Sequence, residues 1–145
     1  MSELARAEIV AAARNWVGTP YRHQASERGA GADCLGLVRG VWRDVVGPEE
    51  EAPPPYTPDW GETGAEEVLW QAAARHLRPI DTKARPGDVL LFRTGRGVAK
   101  HLGILTAEAP RFVHAYSGHA VMENALTRPW RRRVVAVFEF PFERI

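Results

Sequence analysis

The apolar positions of this chain change their period once, near its middle. Up to about residue 77 they recur at spacings of three and four; from about residue 85 they come in short runs separated by turn residues. In the first stretch Ile9, Ala12, Ala13, Trp16 and Val17 form one stripe. Ser2 is placed to cap that helix, and Gly18 and Pro20 to end it. Leu35, Val38, Trp42 and Val45, with Val41 beside them, predict a second helix that begins behind Asp33 and stops at Gly47–Pro48. Gly36 and Gly40 lie four apart on one face of it. Glycine lowers helix propensity, so close approach by another element is the expected reason for the pair. A third helix is expected from Thr63 to about Leu77, with Glu66 completing a capping box.

The second stretch reads as strands: "RPGDVLLF", "HLGILT", "RFVHAY", "HAVMEN" and "RVVAVFEF". In the last of these Val134, Ala136, Phe138 and Phe140 fall on one face. Helices first and about five strands afterwards predict an α+β fold, with N-terminal helices packed on a C-terminal antiparallel sheet. If "HLGILT" and "RFVHAY" form a hairpin across Ala107–Pro110, Thr106 faces Arg111, Leu105 faces Phe112, Gly103 faces His114 and His101 faces Tyr116. Both histidines then share a face as diagonal neighbours, about 7–8 Å apart between backbones. A slip of one residue would separate them.

Two segments carry little apolar pattern. Residues 19–32 form a loop rich in glycine and alanine, and "GPEEEAPPPYTPDWGE" is rich in acid and proline. The second is an excursion and not a linker, because the piece before it cannot bury its own helices alone. No internal repeat is present. With 145 residues, 45% of them hydrophobic and 26% charged, the chain is expected to form a single domain over 1–145 with a real core.

Charge and cysteine count narrow the partners. A net charge of +1 gives no argument for nucleic acid, and Arg131–Arg133 is expected at a solvated turn or strand edge. One cysteine makes no internal disulfide and excludes zinc sites built on several thiols. "MSELARAEIVAAARNW" lacks the uninterrupted apolar core of a signal peptide, and no run approaches the roughly 20 apolar residues of a membrane span. Synthesis and folding in the cytoplasm, without membrane insertion, are therefore expected.

The single cysteine, Cys34, follows the expected cap Asp33 and so stands in the first turn of the second helix. Unpaired N–H groups and partial positive charge at a helix start favour thiolate and can hold an oxyanion. A lone cysteine also serves as a small buried hydrophobe, and two strand histidines also serve as hydrogen-bonded packing. Together, however, Cys34, His101 and His114 supply a nucleophile, a base and a group to orient the base. A metal site on His101, His114 and His119 is the weaker reading, since no carboxylate–histidine motif accompanies them. His76 is expected on the surface of the third helix.

Taken in order, "GTPYRHQ", "GADCLGLVRGVW", "RPGDVLLF", "KHLGIL" and "RFVHAYS" resemble the NlpC family of papain-like cell-wall cysteine peptidases. The resemblance spans almost the whole chain. It implies a papain-like α+β fold and hydrolysis of stem peptides of peptidoglycan, typically at the bond from the γ-carboxyl of D-glutamate to diaminopimelate, without a cofactor. It implies Cys34 as nucleophile, His101 as general base, His114 as orienting residue and Tyr21 beside the oxyanion and substrate. Asp33 is expected to act as a cap and not in the chemistry. The chain departs from the common pattern at Leu35, where a small residue is usual, and in the longer loop "HQASERGAGA", which brings in His23 as a candidate substrate contact. "DCLGLVRGVW" and the proline-rich segment resemble the branch found with tails of phages and gene transfer agents. That branch implies tail-tip partners and action on the periplasmic wall, with Pro53–Trp60 as a candidate docking segment. The alternatives are an inactive structural tail component and a papain-like amidase cutting between sugar and peptide.

Overall fold

The protein, seen here as a computed structural model, is described over residues 1–53, 67–93, 95 and 97–143. Helix α1 covers Glu3–Asn15, and the Ser2 hydroxyl accepts the Ala5 N–H at 3.1 Å. Ile9, Ala12, Ala13 and Trp16 are buried as the stripe predicts, but Val17 is 46% exposed. The helix has already ended there: Trp16 is its C-cap, so residue 17 no longer continues the stripe.

Helix α2 covers Cys34–Val45. Asp33 caps it as expected, its Oδ1 accepting the Gly36 N–H at 2.7 Å, while Oδ2 accepts the Gln24 N–H at 2.7 Å. The two glycines of α2 mark close approaches. A Cβ on Gly40 would overlap the Trp16 indole, and one on Gly36 would overlap the Ala25 carbonyl oxygen. Leu37, Val38 and Val41 are buried, and the expected stripe members Leu35, Trp42 and Val45 are only half-buried. The buried face is turned toward the glycine side, because that is where α1 packs.

Helix α3 covers Val68–His76, and residues 63–66, where the capping box was expected, lie outside the described residues. Glu67 precedes the helix and makes no cap bond; its carboxylate accepts from Ala99 N–H and from Arg93, each at 2.7 Å. His76 is partly exposed on α3 and reaches Glu51 at 3.4 Å.

A small hairpin pairs β1 (Ser26–Glu27) with β2 (Gly31–Ala32). Among the described residues the main sheet has six strands, in keeping with the about five expected. They are β3 (Arg78–Ile80), β4 (Val89–Phe92), β5 (His101–Ala107), β6 (Arg111–His114), β7 (Met122–Ala125) and β8 (Val134–Glu139), in the order β3-β8-β4-β5-β6-β7. All its pairings are antiparallel. The unforeseen strand is β3, three residues on the sheet edge, where Pro79 is tolerated. Helix α4 (Arg128–Arg131) lies between β7 and β8, and Arg131–Arg133 are exposed there as expected.

Both faces of the sheet are covered. Val89, Leu91, Leu102, Ile104, Val113 and Phe138 face the larger core with α1 and α2. Leu90, Phe92, Leu105 and Phe112 face a smaller cluster with Leu126 and Trp130. Two irregularities correct the expected registers. Leu91 pairs with Ala136 but Phe92 with Val134, so Val135 is extra and Val134 turns to the smaller cluster, away from the face of Phe138. In the β5–β6 hairpin Gly103 pairs with His114 and Leu105 with Phe112 as expected, but a bulge then sets Ala107, not Thr106, opposite Arg111. The Thr106 hydroxyl instead donates to Glu123 at 2.6 Å.

Candidate active site

The thiol of Cys34 meets the sheet at the backbone of β5. The backbone N–H groups of Leu102, Leu35 and Cys34 itself lie near enough to the sulphur to favour its ionised form. Leu102 faces the larger core, so by strand alternation its neighbour His101 faces the smaller cluster. The N–H near the thiol and the imidazole therefore belong to consecutive residues of β5 whose side chains face opposite sides of the sheet.

His101 and His114 come together as the diagonal register requires. His101 Nε2 lies 2.9 Å from His114 Nδ1, and both residues are buried. Aromatic rings fix their planes. His114 stacks on Phe112 with centroids 4.1 Å apart, and Trp130 of α4 stands 5.5 Å from the His101 ring and 5.2 Å from His114. His119 is exposed and stacks on Tyr116, 5.6 Å between centroids. Among the described residues no group of three or more histidine, cysteine or acidic side chains is placed to hold a metal ion.

The electrostatics correct one expectation. The helix start was expected to favour thiolate, yet the Cys34 thiol is pushed up to about 12. Burial is the main cause and the Asp33 carboxylate adds to it, against the three N–H groups. The residue that caps α2 thus opposes ionisation of the next residue. His101 is pushed down to about 3, first by burial and then by His114. His114 is also lowered, chiefly by burial. The resting site therefore holds a thiol and neutral imidazoles.

Tyr21 bridges to Ala32, two residues before Cys34, and is half-buried. Its phenol is pushed up to about 12 by burial, then by the charges of Cys34 and Asp33, so it remains a hydrogen-bond donor. His23 stands on the Asp33 side of the α2 start, with Nδ1 3.8 Å from Asp33 Oδ2 and Nε2 3.3 Å from the Gln24 amide nitrogen. Residues 54–60 of the candidate docking segment lie outside the described residues.

The sequence reading missed Asn124. Its Oδ1 lies 2.8 Å from His114 Nε2. It stands on β7 opposite Phe112 and diagonal to His114, as His101 does on the other side. Alternation along "MEN" could have put it on this face, but the seven residues between β6 and β7 leave that register open in sequence.

The site thus sets a helix-borne thiol against an antiparallel sheet that carries a bonded histidine pair. The sequence model of the NlpC/P60 family matches residues 18–139, and this chain belongs to that family. It is 30% identical over 125 residues to the murein DD-endopeptidase MepH of Escherichia coli strain K12, covering 82% of this chain and 40% of that protein. It is 31% identical over 114 residues to "Probable endopeptidase NlpC" of the same organism, covering 78% and 63%. It is 29% identical over 134 residues to the gamma-DL-glutamyl hydrolase of Bacillus subtilis strain 168, covering 91% and 29%. The chain thus spans less than two thirds of each of these relatives. In fold it is similar to the NlpC/p60 domain of the peptidoglycan hydrolase SagA, with TM-score 0.61, 22% identity and coverage of 93% of this chain and 98% of that one. It is also similar to an NLP/P60-family lipoprotein-like protein from Staphylococcus aureus subsp. aureus Mu50, with TM-score 0.67, 18% identity and coverage of 99% and 43%.

Proposed function

We propose that this chain is a thiol endopeptidase of peptidoglycan. The carrying observation is the buried histidine pair, His101 Nε2 2.9 Å from His114 Nδ1, on the strand whose next residue, Leu102, has its N–H near the Cys34 thiol at the start of α2. That leaves Nδ1 of His101 as the nitrogen that would accept the thiol proton, although no hydrogen bond joins His101 to Cys34 at rest. The sulphur then attacks the carbonyl carbon of the stem peptide, and the helix-start N–H groups and the Tyr21 phenol donate to the oxyanion. On collapse the C–N bond breaks and His101 returns the proton to the leaving amine. Water hydrolyses the thioester, again through His101. Because thiol and imidazole rest neutral, proton transfer accompanies attack and no standing ion pair precedes it.

The bond proposed is that from the γ-carboxyl of D-glutamate to diaminopimelate, in keeping with the gamma-DL-glutamyl hydrolase relative. The DD-endopeptidase relative supplies the competing bond. Digestion of purified sacculi with mass analysis of the released fragments separates the two, and also an amidase, which would free intact peptides from glycan. Sacculi left unchanged by the wild type would favour an inactive structural component.

The finer setting we propose is a phage-like tail that brings the domain to the periplasmic wall. The form of "DCLGLVRGVW" and the proline-rich segment support it. Purified particles from producing cells should contain this chain; its presence only as free protein in the lysate would refute the setting.

A further inference from the structure

Asn124 is a polar residue of β7 that the chemistry above does not use, yet it ends a line of bonds that begins at the base. Its amide oxygen lies 2.8 Å from His114 Nε2, and His114 Nδ1 lies 2.9 Å from His101 Nε2. We infer that Asn124 is a positioning residue that sets the tautomer of both histidines and so creates the base. The inference rests on the peptidase reading for its consequence, but not for its geometry.

The argument follows from what each atom can do. An amide oxygen only accepts, so Nε2 of His114 carries the hydrogen. A neutral imidazole has one N–H, so Nδ1 of His114 is left with a lone pair. That lone pair must receive a hydrogen from His101 Nε2. Nδ1 of His101 is then the lone pair that can take a proton from the Cys34 thiol. The reversed amide would reverse every bond in the line. Its nitrogen would donate to His114, His114 would donate to His101, and Nδ1 of His101 would carry a hydrogen where a base is needed.

The choice of an amide over a carboxylate matters. Among the described residues, besides Phe112 on which it stacks, the groups facing His114 are His101 from β5, Tyr116 and His119 from the segment after β6, Asn124 from β7 and Trp130 from α4, with Arg133 over the Trp130 ring. Glu123, next to Asn124 in the chain, accepts from Thr106 and Arg14. A carboxylate at residue 124 would instead hold His114 as imidazolium. Its Nδ1–H would then meet the Nε2–H of His101, and His101 could relieve the clash only by moving its hydrogen to Nδ1. The neutral acceptor fixes the tautomer without charging the ring.

The test has one arm that needs no substrate. In 15N-histidine-labelled wild-type protein near pH 7, the ring correlations should show Nε2–H for both His101 and His114. Asn124→Leu, which keeps the bulk and loses the acceptor, should mix the tautomers of His114. Nδ1–H on His114 in the wild type, or an unchanged pattern in the leucine variant, would overturn the inference whatever the enzyme does to sacculi.

The second arm is kinetic. Asn124→Leu should lower kcat at least about tenfold while KM stays within about twofold, since a wrong tautomer removes the base and not the binding. Asn124→Asp should move the acid limb of kcat/KM to higher pH by about one unit, because His114 must lose a proton that the carboxylate holds. An unmoved pH profile in the aspartate variant would show that residue 124 serves packing alone. A wild type with no hydrolase activity would instead sink the peptidase reading, leaving the tautomer result to stand or fall by itself.

Discussion

Gly103 stands directly opposite His114 in the β5–β6 pair, and a Cβ on residue 103 would come 2.8 Å from the Phe112 ring and 3.4 Å from His114 Cβ. Phe112 is also the ring on which His114 stacks. Gly103→Ala should therefore displace the stack and loosen the 2.9 Å contact between the histidines. We expect about 1–3 kcal/mol of lost stability from overpacking and a fall in kcat larger than that loss explains. Urea unfolding beside rates on soluble stem peptides checks this, and full activity in a destabilised variant would contradict it.

Replacing Cys34 by alanine should abolish hydrolysis and leave the fold intact, since one small side chain is exchanged for another at a helix start. Alkylation of the wild type should inactivate it, but slowly at neutral pH. With the thiol pushed up to about 12, the rate should climb about tenfold per pH unit through the range where the fold holds. Chelators should change nothing. Activity lost with EDTA and restored by zinc would replace the thiol mechanism.

His101→Ala should cost nearly as much rate as loss of Cys34. His114→Asn and His114→Gln should retain more activity than His114→Ala, because a side-chain acceptor for His101 Nε2 can be kept without an imidazole. His119→Ala should be mild, as His119 stacks on an exposed tyrosine and bonds neither ring of the pair. A large loss from His119→Ala with a harmless His114→Ala would reverse the two roles.

Stability should fall as pH drops from 7 to 5. In the unfolded chain a histidine gains its proton near 6.5, but buried His101 stays neutral down to about 3, so the unfolded state binds more protons across this window. His101 alone should cost about 2 kcal/mol at pH 5 relative to high pH, and His114, lowered in the same direction, adds to it. The paired carboxylates Glu49 and Glu123, whose values are lowered, contribute a loss only in more acid solution, below their ordinary value of 4.5. Urea midpoints at the two pH values should converge in a His101→Gln, His114→Gln variant. An equal drop in that variant would place the acid sensitivity elsewhere.

Short-range pattern made several features legible. The caps at Ser2 and Asp33 follow from a side-chain oxygen three residues before an N–H it can reach. The close approaches at Gly36 and Gly40 follow from the cost of glycine in a helix. The pairing of His114 with Gly103 follows from a short turn, which ties the register of two strands to the count of residues between them. Features that depend on partners distant in sequence were not legible. Val134 changed face because of a bulge against β4, and β3 formed because β8 offered it an edge.

The sequence by itself determined the order of helices before strands, the thiol at a helix start and the two histidines on one face of a hairpin. These depend on spacings of two, three and four residues, which backbone geometry alone converts into faces. Only the tertiary structure decided the protonation of the site. Loss of water and the Asp33 carboxylate keep Cys34 a thiol against the nearby Leu102 N–H, while Asn124 reaches His114 from a strand whose register no short turn dictates. Charge and tautomer answer to the distance and burial of groups far apart along the chain, and those exist only once α2, β5, β6 and β7 have packed.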